Sequence, residues 1–347
     1  MLRRHIWWVA PLAGAAVAGA VVAAVSLGGG SSSHNPPHTS HAHLQPAAAA
    51  LAFQRAVTDV VHELSPSVVQ IQNRDGLGSG VVFDTNGDVV TNNHVVAGGG
   101  PFTVTAGAHS YGASLVGRFA PDDLAVVRVS GAKLTPAAFA DSSKLDVGDF
   151  AIAIGNPLGL RSSVTDGIVS AFRLGVSEGN GVALPLMIQT SAAINPGNSG
   201  GALADLQGRV IGIPTLAATD PQLGGTAAPG IGFAIPSNLA GDIATQIIRF
   251  GHVVNSHRAY LGIQIVDTNG AGVLVRNVTA GGPAAKAGLA SGDLITSVNG
   301  KRTPTIDDFT SVVSELKPGK TVELEIATQK GAHKTLHLTL GTFPGTS

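Results

Sequence analysis

Short apolar runs separated by turn-forming residues dominate the middle of the chain. "SVVQIQ", "GVVFD", "GDVVTNN", "FTVTAG", "LAVVRV", "FAIAIG", "GRVIGIP" and "GIGFAIP" follow one another with Gly, Asn, Asp and Pro between them. Runs this brief and this rich in β-branched residues predict strands of an antiparallel barrel or sandwich. No glycine-rich loop feeds a helix, as a dinucleotide-binding unit would require. Two stretches of helical period bracket the region: Leu51 to about Leu64, stopped at Ser65-Pro66, and "SNLAGDIATQIIRFG" from Ser237. After Asn255-Ser256-His257 a smaller β-rich unit runs to about Thr342 and carries the amphipathic stretch "IDDFTSVVSEL".

The N-terminus has a different pattern. Arg3 and Arg4 precede an uncharged run from Ile6 to Leu27, which as a helix extends ~33 Å, enough to cross a hydrocarbon core of about 30 Å. Positive charge before the run and Trp7 with Trp8 at the interface predict a membrane anchor with everything beyond Leu27 outside the cell membrane. The alternative is a cleaved signal peptide ending near Ala18-Gly19-Ala20. Both readings export the remainder. The chain thus divides into a cytoplasmic stub and anchor (1–28), a flexible His/Pro/Ser linker (29–50), a first folded domain (51–252) and a second (257–344). His34, His38, His41 and His43 lie in the linker, where neither a carboxylate nor a cysteine completes a metal site. No metal and no cofactor are assigned.

Composition narrows the chemistry. Lysine plus arginine (21) nearly balances aspartate plus glutamate (22), so no overall basic field is available to hold nucleic acid. The absence of cysteine excludes disulfides, thiolate metal sites and a cysteine nucleophile.

One stretch, "INPGNSGGAL" from Ile194, surrounds Ser199 with residues that have almost no side chain. A serine hydroxyl needs a base to take its proton, a third group to orient the base, and donors for the oxyanion that forms. A tight glycine turn supplies such donors: the amides of Gly197 and Ser199, with Asn198 between them, can face one spot beside the hydroxyl. His94 in "TNNHVVAG", at the end of a β-like run, and Asp123 in "PDDLAVVRV" provide the partners. Their order, histidine, aspartate, serine with gaps of 29 and 76 residues, is that of the two-barrel serine proteases. Asp122 is the alternative carboxylate; Asp123 is preferred because it abuts the apolar strand.

"TNNHVV", "DLAVV", "AIGNPLGL", "AAINPGNSGGAL" and "GIGFAIP", in this order over roughly Asp59 to Phe250, resemble the HtrA/DegP-like trypsin-fold serine proteases. The resemblance implies a mainly β, chymotrypsin/trypsin-like double barrel. It also implies His94 as general base, Asp123 as its orienter, Ser199 as nucleophile, and Gly197, Asn198 and Ser199 around the oxyanion hole. Ser191 departs from the family, which commonly has aspartate there, and raises the question of what supports the loop before the nucleophile. Ala193 occupies the position where trypsin-like pockets hold an acid, so no preference for lysine or arginine is expected. Ile231, Gly232, Phe233 and Ala234 should wall a small apolar slot suited to valine or alanine. The stretches Thr215–Gly230 and Arg173–Gly181 correspond by family analogy to loops whose ordering switches activity. "YLGI" (Tyr260, Leu261, Gly262, Ile263), "GGPAAKAGLASGDLITSVNG" and the amphipathic helix resemble a PDZ domain of the permuted bacterial kind. Such a unit captures C-terminal peptides by adding a strand to its edge. The resulting expectation is an exported, anchored endopeptidase of protein quality control that acts on unfolded polypeptides and assembles as a homotrimer. The alternative is a catalytically latent PDZ adaptor.

Overall fold

The computed structural model describes residues 47–74, 76–156, 163–174, 176–177, 183–184, 186–195, 197–220 and 226–345. The expected anchor and nearly all of the histidine-bearing linker lie outside the described residues. Among the described residues no helix is long and apolar enough to cross a membrane. The first element, α1 (Ala48–Leu64), begins before Leu51 and therefore takes the last alanines assigned to the linker.

Two closed barrels follow. The first contains β1 (Val68–Gln72), β2 (Leu77–Val82), β3 (Asp88–Thr91), β4 (Phe102–Ala106), β5 (His109–Phe119) and β6 (Leu124–Val129), in the order β1-β2-β3-β6-β5-β4. A one-turn helix, α2 (Asn93–Val96), interrupts it after β3. The second barrel uses β7 (Phe150–Gly155) and β8 (Ser163–Arg173), then after a small hairpin of β9 (Val176–Ser177) and β10 (Ala183–Leu184) it continues with β11 (Met187–Thr190), β12 (Ala202–Ala204), β13 (Val210–Asp220) and β14 (Thr226–Pro236). Its closed order is β11-β14-β13-β12-β7-β8.

The unbroken apolar runs have a physical reason. Successive strand residues point to opposite faces, and here both faces are covered. Val69, Ile71, Val82 and Val89 fill the first barrel, while their neighbours Val68, Val81 and Val90 join Ile152, Ile154, Ile213 and Ile235 in the layer beyond the barrel interiors. Helix α3 (Ser237–Phe250) covers the same layer with Ala240, Ile243, Ala244 and Ile247.

The second unit has its own core of Val273, Val275, Ile295, Val298, Phe309, Leu324 and Ile326. Its strands are β15 (Ala259–Tyr260), β16 (Ile263–Asp267), β17 (Val273–Val278), β18 (Leu294–Val298), β19 (Lys301–Arg302), β20 (Thr321–Ala327), β21 (His333–Thr339) and β22 (Gly341–Thr342), with helices α4 (Pro283–Lys286) and α5 (Ile306–Ser314). The main sheet runs β16-β17-β18-β20-β21, which leaves β16 at an edge, and β15 pairs with β22. Thr305 caps α5: its hydroxyl accepts from the Asp308 amide, and the Asp308 carboxylate accepts from the Thr305 amide in return. The mainly β double barrel followed by a smaller β unit agrees with the expected fold class.

Candidate active site

Short polar segments at the ends of strands build the site. His94 sits in the first turn after β3, in α2, and not on a strand end as its sequence setting suggested. Asp123 follows a 3-10 turn, Ala120–Asp122, and adopts φ 50°, a left-handed conformation that aspartate tolerates better than most residues. Its carboxylate accepts the His94 amide at 2.9 Å and faces His94 Nδ1 at 2.8 Å. Its carbonyl accepts from the Asn93 amide and the Asn92 side chain, both at 3.0 Å. The Asp123 side chain is 4% exposed and that of His94 50%, so the carboxylate is shielded while the imidazole meets solvent.

Thr215, at the end of the apolar run in β13, joins the two halves of the site. Its hydroxyl donates to the Asp123 carboxylate, and its carbonyl accepts the Ser199 hydroxyl at 3.1 Å. Asp123, His94 and Ser199, drawn from both barrels, thus belong to one hydrogen-bonded group.

The glycines around Ser199 turn out to serve packing as much as conformation. Gly197 has φ 110° and Gly200 φ 79°, both strained for any residue with a Cβ. A Cβ on Gly200 would stand 2.2 Å from the Ser79 carbonyl oxygen, and one on Gly201 2.4 Å from the Ile154 carbonyl oxygen. Gly155, on β7, backs onto the loop in the same way: a Cβ there would stand 2.5 Å from the Gly197 carbonyl oxygen. Ser79, on β2 of the first barrel, clamps the loop from the other side. Its hydroxyl donates to the Gly197 carbonyl at 2.5 Å and accepts the Asn156 amide at 2.7 Å, while its own amide donates to the Ser199 carbonyl at 2.9 Å. Gly200→Ala should therefore both strain the backbone and separate the loop from β2. We expect a fall in melting temperature of roughly 5–10 °C with activity lost in parallel, read by calorimetry and peptide hydrolysis.

The Asn198 amide is already bonded to the Asn195 carbonyl at 3.0 Å, and its side chain reaches the Ala193 carbonyl at 3.2 Å. The Gly197 and Ser199 amides have no acceptor among the described residues. Asn198 is thus a spacer in the turn between the two flanking amides. Ser191 answers the question raised by its departure from the family: its hydroxyl accepts the Ile168 amide at 3.0 Å, and its amide donates to the Ile168 carbonyl at 3.1 Å, so β8 supports the loop.

Among the slot residues, Ala193 and Ile231 are exposed. A Cβ on Gly232 would meet Ile194 Cγ1 at 2.4 Å. Ala234, by contrast, is fully buried inside the second barrel with Ile188, Leu203 and Ile211, and Phe233 packs into the inter-barrel layer. The Thr215–Gly230 stretch, expected as a long loop, is mostly strand: β13 runs to Asp220 and β14 starts at Thr226, with irregular register after Pro214. In the second unit Leu261 is a core residue, and the carbonyls of Leu261 and Gly262 accept from Ala284 and Thr279. The Tyr260 ring packs edge-on against Phe343, and Ile263 opens β16.

A double barrel with a buried carboxylate on a histidine, and a serine in a glycine turn tied to that carboxylate through Thr215, is the arrangement of the trypsin-like fold. Residues 78–213 match the trypsin-like peptidase domain family and residues 259–340 the PDZ domain family. The chain belongs to the HtrA family of serine proteases. It is 33% identical to the serine protease Do-like HtrB of Bacillus subtilis, over 97% of this chain and 83% of that protein. It is 40% identical to the periplasmic pH-dependent serine endoprotease DegQ of Escherichia coli, over 79% of this chain but only 61% of the longer relative. Among solved structures, the HtrA-type protease AlgW with a decapeptide superposes with a TM-score of 0.58 at 30% identity, covering 83% of this chain and 98% of that one.

Ser79, Asn92 and Thr215 escaped the sequence reading. Each is a polar residue in or beside an apolar strand, and only closure of the barrels gives it a partner.

Proposed function

We propose that the chain is an exported, membrane-anchored serine endopeptidase of protein quality control, cleaving unfolded polypeptides after small apolar residues. The observation that carries this reading is the shared group in which Asp123 holds His94 while Thr215 links Asp123 to Ser199. His94 takes the Ser199 proton as Oγ attacks the scissile carbonyl. The Gly197 and Ser199 amides receive the oxyanion, and His94 returns the proton to the leaving amine. Water, deprotonated by the same imidazole, then releases the acyl group.

Ala193 at the slot, where an acid would hold a basic side chain, supports a small apolar preference. The periplasmic setting named for DegQ supports export. Peptide recognition through the PDZ unit rests on the free edge of β16 beside α5 and on the Leu261 and Gly262 amides, which have no acceptor among the described residues. Self-association into a trimer is supported by the apolar side chains that α1 leaves in solvent, Leu51 and Phe53.

A phosphonate ester directed at serine hydrolases, applied to the full chain, should label Ser199. The same preparation should digest reduced, unfolded casein with cuts after valine and alanine. Peptide binding without label or digestion would make the chain an adaptor, and cuts after lysine or arginine would remove the specificity assignment.

A further inference from the structure

The turn that carries Asp123 is held from outside the barrels. Asp122, the last residue of the 3-10 turn before it, is fully buried. Arg258, which precedes β15 of the PDZ unit, donates from Nη1 to Asp122 Oδ1 at 2.7 Å and to the Pro121 carbonyl. Asp122 Oδ2 has no hydrogen-bond partner among the described residues. Burial pushes the Asp122 carboxyl above its ordinary range, and the Arg258 charge pulls the other way. The arginine is itself fixed. Its guanidinium lies 5.9 Å from the Phe343 ring, its carbonyl accepts the Phe343 amide at 2.8 Å, and Phe343 packs edge-on against Phe119, just before the turn.

We infer that Arg258 is a positioning residue for the triad: an arginine of the PDZ unit holds the Ala120–Asp122 turn and through it aims Asp123 at His94. The inference rests on the reading of His94, Asp123 and Ser199 given above. An arginine suits the task because one planar cation satisfies a carbonyl and a carboxylate together. Without it a buried carboxylate is left uncompensated, and the turn must rotate or take up a proton to relieve it. Asp123 is the next residue, in a left-handed conformation, so rotation of the turn changes the direction of both hydrogen bonds to His94. Small misplacements of this kind are costly to turnover while leaving substrate contacts intact. His257, beside Arg258, is the other titratable group near Asp122; its Nε2 lies 3.3 Å from the Asp242 carboxylate, and it plays no part in the tether.

The test uses the full-length chain and a peptide substrate, with R258A, R258K, D122N and the R258A/D122N double variant. R258A should lower kcat by roughly 10- to 100-fold with KM held within about twofold. R258K, which keeps the charge but not the planar fork, should fall between R258A and wild type. The double variant should be no worse than R258A, because both changes cut one tether. Wild-type kcat in R258A, a rise in KM alone, a fall in melting temperature with kcat intact, or losses that multiply would each overturn the inference. If R258A does not accumulate folded, D122N, nearly isosteric, carries the test on the same split of kcat against KM. Full turnover in S199A or D123N would instead sink the triad reading, whatever Arg258 does.

Discussion

Ser199→Ala is expected to lower kcat by roughly 10⁶-fold with little change in KM or in the fold. The hydroxyl that attacks the substrate is the only group removed. What stays is the Ser199 carbonyl on the Ser79 amide at 2.9 Å and the packing of Gly200 and Gly201 against β2 and β7. Loss of the hydroxyl's bond to the Thr215 carbonyl costs about 1 kcal/mol, a shift of roughly 2–4 °C for a domain of this size. Residual turnover, on the order of 10³-fold above water, would come from the two amides and from substrate binding alone. The variant should also lose all labelling by the phosphonate. Peptide hydrolysis, probe labelling and a melting curve on the same preparation separate these effects. Turnover within about 100-fold of wild type would mean that another group attacks the substrate, and the mechanism would have to be redrawn.

How far the sequence reveals this architecture depends on where each residue's partners lie. The continuous runs around Val69, Val127, Ile152 and Ile213 were readable because both strand faces are buried. β5 and β8 were not. β8 keeps its period of two, but Val164, Ile168 and Phe172 are 39%, 41% and 37% exposed, so its apolar residues mark a surface and give no inward signal. Gly117 and Gly167 look like breaks within these strands. In the fold they are close approaches: a Cβ on Gly117 would stand 2.4 Å from the Gly251 carbonyl oxygen at the end of α3, and one on Gly167 2.3 Å from the Ala192 amide. The proposed triad could be suggested from sequence because its three residue types occur in the chain order of the two-barrel serine proteases. Its supports were not: Ser79, Thr215 and Arg258 bond to residues 118, 92 and 136 positions away, and nothing local marks them.

Asp123→Asn tests the orienting half of the site and is expected to lower kcat by roughly 10⁴-fold. Asparagine has nearly the same shape and tolerates the left-handed φ of 50°, so the bonds from the Asn92 side chain and the Asn93 amide to the 123 carbonyl should persist. The side chain, however, exchanges one acceptor oxygen for a donor NH₂. The carboxylate now accepts from the His94 amide, from His94 Nδ1 and from the Thr215 hydroxyl, and a single amide oxygen cannot serve all three. An NH₂ turned toward Nδ1 makes that nitrogen an acceptor and leaves the proton on Nε2, where the imidazole can no longer deprotonate Ser199. An imidazolium formed during attack would also lose the buried negative charge that stabilises it. Phosphonate labelling should therefore slow in step with peptide hydrolysis, because both need the activated hydroxyl. Asp122→Asn, one residue earlier, should cost far less, because it acts on the turn and not on the imidazole. If the two substitutions had equal effects, or if Asp122→Asn had the larger one, Asp123 would not be the residue that orients His94.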